Sequence, residues 1–248
     1  MQVPTVITLT GVAGSGKNTA GEILKKKFAD AGKKYLLLSY ADQLRSIVNA
    51  NIDSSVKDRK LEYRKNMQYL GTEVVRLLEP DFWIHQTWHL IDLLSKTHTD
   101  DDYEDECTQW KSEQDKQAIL KIDSMKYDGF IITDARFDNE LAPSPYDLGY
   151  LIYNVKVERD DKLIKNRDYM TDKTKHHVSE EMAREKPNSE YFAVIWNNGT
   201  QKDLEQTCSE LADTILKYNE VRNKAYFDKI KQIARENEIE FEQAGLNE

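Results

Sequence analysis

A glycine-rich loop near the start of the chain constrains its fold more than any other feature. The loop, Gly11-Val-Ala-Gly-Ser-Gly16-Lys17, follows the β-branched and apolar run 5–10 and precedes a helical pattern that ends near Gly32. Glycines permit positive φ and a close backbone approach, so successive N–H groups can surround a phosphate, and the helix N-terminus favours an anion. Because a strand precedes the loop and a helix follows it, the sequence predicts a phosphate-binding loop rather than a connecting turn.

The residues at the end of this loop predict how a nucleoside triphosphate binds. Lys17 is expected to contact the β- and γ-phosphates and to follow the charge onto the transferred group. Asn18 stands where the motif has Ser or Thr as a Mg²⁺ ligand, and an amide oxygen can bind Mg²⁺ directly or through water. The predicted metal ligands are Asn18 and Asp134, with Asp42 as an alternative acid. The predicted ATP-binding residues are Gly11, Ala13, Gly14, Ser15, Gly16, Lys17, Asn18, Thr19, Asn198 and Gly199.

Five short apolar runs, separated by helical patterns, predict the sheet. They are residues 5–10, 35–40, 130–134, 151–157 and 191–196. This alternation predicts a three-layer α/β fold of the P-loop type, with a mainly parallel five-stranded sheet covered on both faces. Because ligands of such sheets bind outside the carboxyl ends of the strands, we expect the chemistry just after each run.

Acids and arginines follow several of these runs. Asp134 ends the third run, where P-loop enzymes place a metal-binding carboxylate, and Arg136 can bind a phosphate through its fork. Asp42 follows the second run, where it can orient the acceptor or accept its proton. Each acid can instead cap a helix, and Arg136 can form a surface ion pair, so both alternatives stay open. The turn 197–200 can approach a flat base or simply cap the last helix.

The mixed helical segment 42–128 is predicted to be an insertion that binds the phosphoryl acceptor. Arg64 and Arg76 flank the motif Gln68-Tyr69-Leu70-Gly71-Thr72, where arginines would neutralise an acceptor phosphate. Tyr69 and Trp88 can stack on a base, although a core position is the alternative for the tryptophan. The predicted acceptor-binding residues are Asp42, Arg64, Gln68, Tyr69, Thr72, Arg76, Trp88, Arg136 and Glu140. The acidic stretch 97–127 has no assigned role.

The polar stretch 158–188 is predicted to form a lid that closes over the phosphates and excludes water. Arg159 and Arg167 lie in it, and an arginine on the transferred phosphoryl group can be worth about 10³–10⁵ in rate. The predicted catalytic residues are Lys17, Asp42, Arg136, Arg159 and Arg167.

The end of the chain predicts two helices. Leu204, Leu211 and Ile215 mark the first, which completes a kinase domain at 1–219. The second is a charged helix at 220–248. Its apolar stripe can pack on the domain or on a second subunit, so both a monomer and a homodimer stay open.

Composition excludes several classes of protein. The formal net charge of -9 argues against a nucleic-acid-coating protein. The two cysteines, Cys107 and Cys208, lie far apart and have no metal or redox spacing. No signal peptide or membrane-length apolar run is evident, so we expect a cytoplasmic protein with no nucleic-acid or membrane partner.

Six short motifs follow one another along the chain. They are Gly11–Thr19, Tyr40-Ala41-Asp42-x-Leu44, Gln68-x-Leu70-Gly71-Thr72-Glu73, Asp134-x-Arg136-Phe137-x-Asn139-Glu140, His177-Val178-Ser179-Glu180 and Asn198-Gly199-Thr200. Together they resemble the deoxynucleoside monophosphate kinases of tailed bacteriophages, some of which carry an acidic or amide residue at the position of Asn18. The resemblance implies transfer of the γ-phosphoryl group of ATP to a deoxynucleoside monophosphate (dNMP) with Mg²⁺, in the host-cell cytoplasm. It does not extend to 97–127 or to the C-terminal helix.

Two alternative functions share the phosphate loop. Another small-molecule P-loop kinase, such as a dephospho-coenzyme A kinase, would differ in the acceptor-side segment. A nucleotide-dependent switch would hydrolyse its nucleotide slowly and use the acidic stretch and the charged C-terminal helix as partner surfaces. Assays of ADP formation with and without acceptors distinguish the three functions.

Overall fold

The structure is a computed structural model, and it describes residues 3–51, 60–95, 126–142, 149–164 and 178–236. The strands are β1 (Thr5–Thr10), β2 (Tyr35–Leu38), β3 (Gly129–Ile132), β4 (Leu151–Glu158) and β5 (Ala193–Trp196). The helices are α1 (Lys17–Asp30), α2 (Asp42–Asn51), α3 (Lys60–Gln68), α4 (Phe82–Leu94), α5 (Asp138–Leu141), α6 (Val178–Glu185) and α7 (Gln201–Glu236). A π-helical stretch, Tyr69–Val75, and a helical turn, Arg76–Leu78, continue α3, and short 3₁₀ turns lie at Asp161–Leu163 and Asn188–Glu190.

All five predicted strands are present, and every pairing in the sheet is parallel. The strand order is β2-β3-β1-β4-β5, so β1 lies in the centre with β3 on one side and β4 on the other. The six residues of β1 are all buried, as its unbroken apolar and β-branched pattern predicts. The predicted α/β P-loop fold is confirmed, and the loop after β1 lies where the chain order reverses, which is the usual ligand crevice of such sheets.

Helices cover both faces of the sheet. On one face α1 and α7 pack on the strands through Leu24, Phe28, Leu204, Leu211 and Ile215. On the other face α2 and α4 contribute Leu44, Val48, Trp83, Trp88 and Ile91 to a second core. The three predicted layers are therefore present.

The C-terminal region is one helix, and the expectation of two separate helices is wrong. α7 runs without a break from Gln201 to Glu236. The segment contains no Gly or Pro that would interrupt it. The expected boundary after residue 219 also passes through the core, because the buried Asn219 accepts a hydrogen bond from Tyr153 and donates one to Thr5. The helix crosses this boundary. The proposed division into 1–219 and 220–248 stays a prediction.

Two predicted segments are described only in part. Most of the acidic stretch 97–127 lies outside the described residues, and so do residues 165–177 of the expected lid. Within the part of the chain that the structure describes, no helix is long and apolar enough to cross a membrane.

Candidate functional site

The loop between β1 and α1 has an unusual backbone conformation. Gly11, Gly14 and Gly16 have φ values of +139°, +82° and +104°. Side chains other than glycine rarely adopt such values, so the three glycines are required by the shape of the loop. The loop leads directly into α1, which begins at Lys17. Of the other predicted loop residues, Ala13 and Ser15 are buried, and Asn18 and Thr19 are exposed on the first turn of α1.

The end of β4 and the segments that follow β4 and β5 lie against the three glycines. A Cβ atom on Gly11 would lie 2.3 Å from the carbonyl oxygen of Val157, and one on Gly14 would lie 2.6 Å from Ile164 Cγ2. A Cβ atom on Gly16 would lie 2.3 Å from Asn197 Nδ2. Because two separate strand ends touch it, the loop has a defined conformation that local sequence alone does not dictate.

Lys17 folds back over the loop that precedes it. Its side chain is buried, and Nζ donates hydrogen bonds to the carbonyl oxygens of Gly11 at 2.6 Å and Val12 at 2.9 Å. The hydroxyl of the neighbouring Ser15 is also buried and has no hydrogen-bond partner among the described residues. A fixed cation and a buried hydroxyl without a partner are groups that a phosphate at this loop would satisfy.

Asn197 is a site residue that the sequence reasoning missed. It is 7% exposed, and its Nδ2 donates to the carbonyl oxygen of Ser15 at 2.8 Å. Its backbone N–H donates to Glu158 O at 2.8 Å, so the residue ties the ends of β4 and β5 to the loop. The turn 197–200 is the sequence signal that includes it, although the predicted binding residues of this turn are Asn198 and Gly199.

Those two residues are engaged in local contacts. Asn198 Oδ1 accepts a hydrogen bond of 2.8 Å from Asp160 N, which joins the segments after β4 and β5. Gly199 lies close to Asp203, whose carboxylate accepts hydrogen bonds from the backbone and hydroxyl of Thr200 at the start of α7. The capping alternative for this turn is therefore observed, while contact of Asn198 or Gly199 with ATP stays a prediction.

Replacement of Asn197 by alanine is expected to loosen the phosphate loop. The change removes the bond to Ser15 and leaves a buried carbonyl oxygen without that donor, at a typical cost of about 1–3 kcal/mol. We expect ATP affinity to fall by roughly 10-fold, as titration calorimetry can measure. The matched control is Asn223→Ala, since Asn223 Oδ1 accepts a similar 2.9 Å bond from Val3 N far along the chain from the loop. Equal ATP affinity in the two variants would contradict the assignment.

Asp134 connects the ends of β2 and β3. Its Oδ1 accepts from Tyr40 N at 2.8 Å, and its Oδ2 accepts from Ser39 Oγ at 2.5 Å and from Ala41 N at 3.1 Å. Asp42 starts α2 close by, is half-exposed, and forms an ion pair with Arg45 at 2.5 Å. The three donors leave few acceptor positions on Asp134, so it can contribute at most one direct bond to a metal. No cluster of three metal-binding side chains occurs among the residues that can be described.

Arg136 and Arg159 follow the two strands that flank β1. Arg136 is half-buried just beyond β3, and its backbone N–H donates to Glu140 Oε2 at 2.6 Å. Arg159 follows β4 directly, and its buried Nε has no hydrogen-bond partner among the described residues. Both arginines thus lie at the same sheet edge as the phosphate loop. Arg167 and the His177 motif fall outside the residues whose side chains are described.

A cavity of about 510 Å³ lies between the π-helical stretch with its following turn and the segment after β3. It is lined by Thr72, Glu73, Arg76, Leu77, Pro80, Phe137 and Asn139. Two predicted acceptor residues, Thr72 and Arg76, are therefore brought together there by the π-helical stretch. Such π-helical turns occur frequently at functional sites.

The other predicted acceptor residues lie in different surroundings. Gln68 is half-buried, with an Nε2 that has no hydrogen-bond partner in the described part of the chain, and Tyr69 is 59% exposed. Trp88 is fully buried and packs edge-on against Tyr150. The stacking role predicted for Trp88 is corrected here, because a side chain without accessible surface cannot contact a ligand. The side chain of Arg64 lies outside the described residues.

Glu140 is also buried, at 2% exposure, and pairs with Arg76. Burial raises the pKa of its carboxyl group, while the charge of Arg76 acts in the opposite direction. Its oxygens accept from Arg76, from Arg136 N and from Phe137 N. The direct acceptor contact predicted for Glu140 does not fit a carboxylate enclosed in this way.

Comparison with known proteins gives one family match. Residues 3–77 match the family model described as adenylylsulphate kinase. The matched part is less than a third of the chain, and it contains the phosphate loop and Arg76. This N-terminal part is therefore of the P-loop kinase type. No curated protein is similar enough to be matched to the chain.

Solved structures add little to this result. The adenylylsulphate (APS) kinase CysC of Mycobacterium tuberculosis, in complex with AMPPNP and APS, is 16% identical, with 87% of this chain and 99% of that chain covered. A cysteine-to-alanine mutant of the same enzyme is 14% identical, with 86% and 99% covered. The TM-scores of 0.40 and 0.37 are too low to carry an argument about substrate.

Proposed function

We propose that the protein is a kinase that transfers the γ-phosphoryl group of ATP to a deoxynucleoside monophosphate. The observation that carries this proposal is the cavity lined by Arg76, which opens beside the residues after β3. Because β3 is the direct neighbour of β1, the segment after β3, which lines the cavity, and the phosphate loop both follow the carboxyl ends of adjacent strands. A donor site and an acceptor site at one edge are the arrangement that phosphoryl transfer between two nucleotides needs.

On the donor side, we assign the triphosphate to the loop 11–17 and to Lys17. Its ammonium group would release the loop carbonyl oxygens, or would divide its three N–H donors between them and the phosphates. The backbone N–H groups of the loop would face the anion. Arg136 and Arg159 would neutralise charge that develops on the transferred group. Asp42 would orient the attacking phosphate oxygen of the acceptor. The chain thus supplies positioning and charge, which are the main requirements of this reaction.

Mg²⁺ is the metal that such a reaction uses, and it usually keeps several waters and phosphate ligands. The described residues fit this mode, because Asn18 is exposed on the first turn of α1 and Asp134 retains one acceptor position on Oδ1. We propose that these two residues hold the hydrated ion beside the phosphates. The metal lowers the charge repulsion between the reacting groups.

Asn18→Ala tests the metal assignment. If the amide oxygen binds Mg²⁺ directly, we expect the Mg²⁺ concentration for half-maximal turnover to rise by about 10-fold, the effect of one lost ligand bond of modest strength. Glu22→Ala, one turn further along α1 and also exposed, is the control for general perturbation of the helix. An unchanged Mg²⁺ dependence in Asn18→Ala would show that Asn18 is not a direct ligand.

A second acceptor class is supported by the family match. Adenylylsulphate is a nucleotide with an anionic group, and the cavity beside Arg76 can be tested for it in the same way. The decisive experiment measures ADP formation with each of the four dNMPs, the ribonucleotides, dephospho-coenzyme A and adenylylsulphate. We expect stimulation by at least one dNMP above all other compounds. No stimulation by any dNMP would contradict the proposed function, and acceptor-independent hydrolysis alone would favour a switch.

A dNMP kinase of this kind would supply DNA precursors, and we propose that it acts in the cytoplasm of an infected host cell. Light scattering of the purified chain decides between the monomer and the homodimer.

A further inference from the structure

The carboxylate of Glu140 is surrounded by donors from two different parts of the chain. Arg136 N and Phe137 N donate to Oε2 at 2.6 Å and 3.0 Å, so this oxygen is held by the segment just after β3. The other oxygen, Oε1, accepts from Nη2 of Arg76, which belongs to the helical insertion 64 residues earlier. A buried carboxylate with one oxygen anchored to backbone therefore has the second oxygen aimed at a single guanidinium group.

Arg76 is held on three sides. Nη2 meets Glu140, Nη1 donates to the carbonyl oxygen of Pro80 at 3.2 Å, and the guanidinium lies 4.3 Å from the centre of the Phe137 ring. An arginine fork has five N–H donors, and the hydrogen bonds to Glu140 and Pro80 use two of them. Its side chain is only 12% exposed, yet it lines the cavity. The group is thus fixed in one plane with donors left for a ligand.

The cavity itself is suited to a nucleotide with an anionic group. Its lining combines the apolar side chains Leu77, Pro80 and Phe137 with polar groups, among them the cation of Arg76 and the carboxylate of Glu73. Concave sites of this kind bind the apolar part of a ligand and orient it by a few polar groups. Among the described residues that line it, Arg76 is the cation, so it is the group that would bind the anionic end of a ligand.

We propose that Glu140 is the positioning residue of the acceptor site, which holds Arg76 in the orientation that binds the anionic group of a nucleotide acceptor. Glu140 does not touch the acceptor, and Arg76 does. The inference rests on the proposed kinase function for the identity of the acceptor, but not for the geometry of the pair. A fixed fork loses less conformational freedom when it binds, so the carboxylate contributes affinity through another residue.

A purely structural ion pair is the competing explanation, because the pair also ties the insertion to the sheet. Removing one partner of a buried pair destabilises a protein in either case. The two explanations differ in what else changes. If the pair is only structural, its loss lowers the stability of the protein and has no selective effect on ligands. If Glu140 positions Arg76, its loss weakens the binding only of ligands that carry the anionic group.

The test is Glu140→Gln in the full chain. A glutamine of the same shape places an NH₂ group where one of the two oxygens was, and that group then faces either Arg76 or the two backbone donors. We expect the Kd of the accepted dNMP, measured by titration calorimetry, to rise about 10- to 100-fold, the effect of one lost charge-assisted hydrogen bond. The Kd of ATP and that of the corresponding deoxynucleoside, which lacks the phosphate, are expected to stay within about twofold.

Two further variants complete the experiment. Arg76→Lys keeps the charge but loses the fork, so it is expected to show the same selective loss. Tyr150→Phe is the matched control, since it removes a 2.6 Å bond to Asp92 that likewise ties the insertion to the sheet. The control is expected to lower stability and to leave dNMP affinity unchanged. An unaltered phosphate-dependent affinity in Glu140→Gln or in Arg76→Lys overturns the proposal.

Glu140→Asp keeps the proposal testable if Glu140→Gln does not fold. It keeps the buried charge but shortens the side chain by one methylene, so the carboxylate no longer reaches both the backbone donors and Arg76, and dNMP affinity is expected to fall about 3- to 10-fold; an unchanged dNMP affinity overturns the proposal. If no dNMP binds but adenylylsulphate does, the proposed function fails, and the same comparison is made with adenylylsulphate and adenosine. Failure of the function and failure of the positioning role are therefore distinguished.

Discussion

Lys17→Ala is expected to reduce phosphoryl transfer by about 10²- to 10³-fold or more, the usual effect of removing one fixed donor from a developing charge. The ammonium group lies over the loop on the carbonyl oxygens of Gly11 and Val12, where a β- or γ-phosphate would meet it. The loss should appear mainly in kcat, because the interaction strengthens as charge moves to the transferred group. Steady-state kinetics with ATP and the accepted dNMP measure it.

The control for this change is Lys26→Ala, an exposed lysine of the same helix. It removes the same charge from α1 without touching the loop, so its kcat is expected to stay within about twofold of the unchanged protein. The circular dichroism of both variants should match that of the parent chain, since the sheet does not depend on either side chain. Full transfer activity in Lys17→Ala would contradict the whole donor-side assignment.

Gly11→Ala is expected to have the largest effect on stability and on ATP binding together. The new Cβ atom would lie 2.3 Å from the carbonyl oxygen of Val157 and 2.9 Å from Ser15 Oγ, at a φ of +139°. Backbone strain and overpacking each cost about 1–3 kcal/mol. We expect the unfolding temperature to fall by roughly 5–15 °C, the shift for a chain of this size, and ATP affinity to fall by at least about 10-fold, as the loop must move.

Gly32→Ala is the control that separates the backbone strain of a positive φ from the steric clash of the new Cβ atom. Gly32 also has a positive φ, +72°, but a Cβ atom there meets nothing within 4 Å. Its change is expected to cost about 1–2 kcal/mol and to leave ATP affinity unaltered. A Gly11→Ala variant no less stable than Gly32→Ala would show that the end of β4 moves easily and does not determine the conformation of the loop.

Local patterns were enough to predict the sheet and the phosphate loop. Each strand is a short apolar run, and the glycines of the loop stand between a strand and a helix, so both features depend on neighbours in the chain. Burial of apolar runs and the φ requirements of glycine act over a few residues. The same local reasoning is wrong at Gln201–Glu236, where two groups of apolar residues predict two helices although no residue interrupts the backbone.

The contacts that shape the two binding sites join residues far apart in the chain. Asn197 holds Ser15 across 182 residues, and Glu140 holds Arg76 across 64. Sequence reasoning placed Glu140 and Trp88 in contact with the acceptor, but the fold encloses both side chains. Which distant strand ends meet depends on the order β2-β3-β1-β4-β5, and that order is a matter of pairing between strands that are far apart in the chain. Periodicity and motifs, which act along the chain, predicted the phosphate loop; packing between distant segments decided how that loop is held and which arginine is positioned.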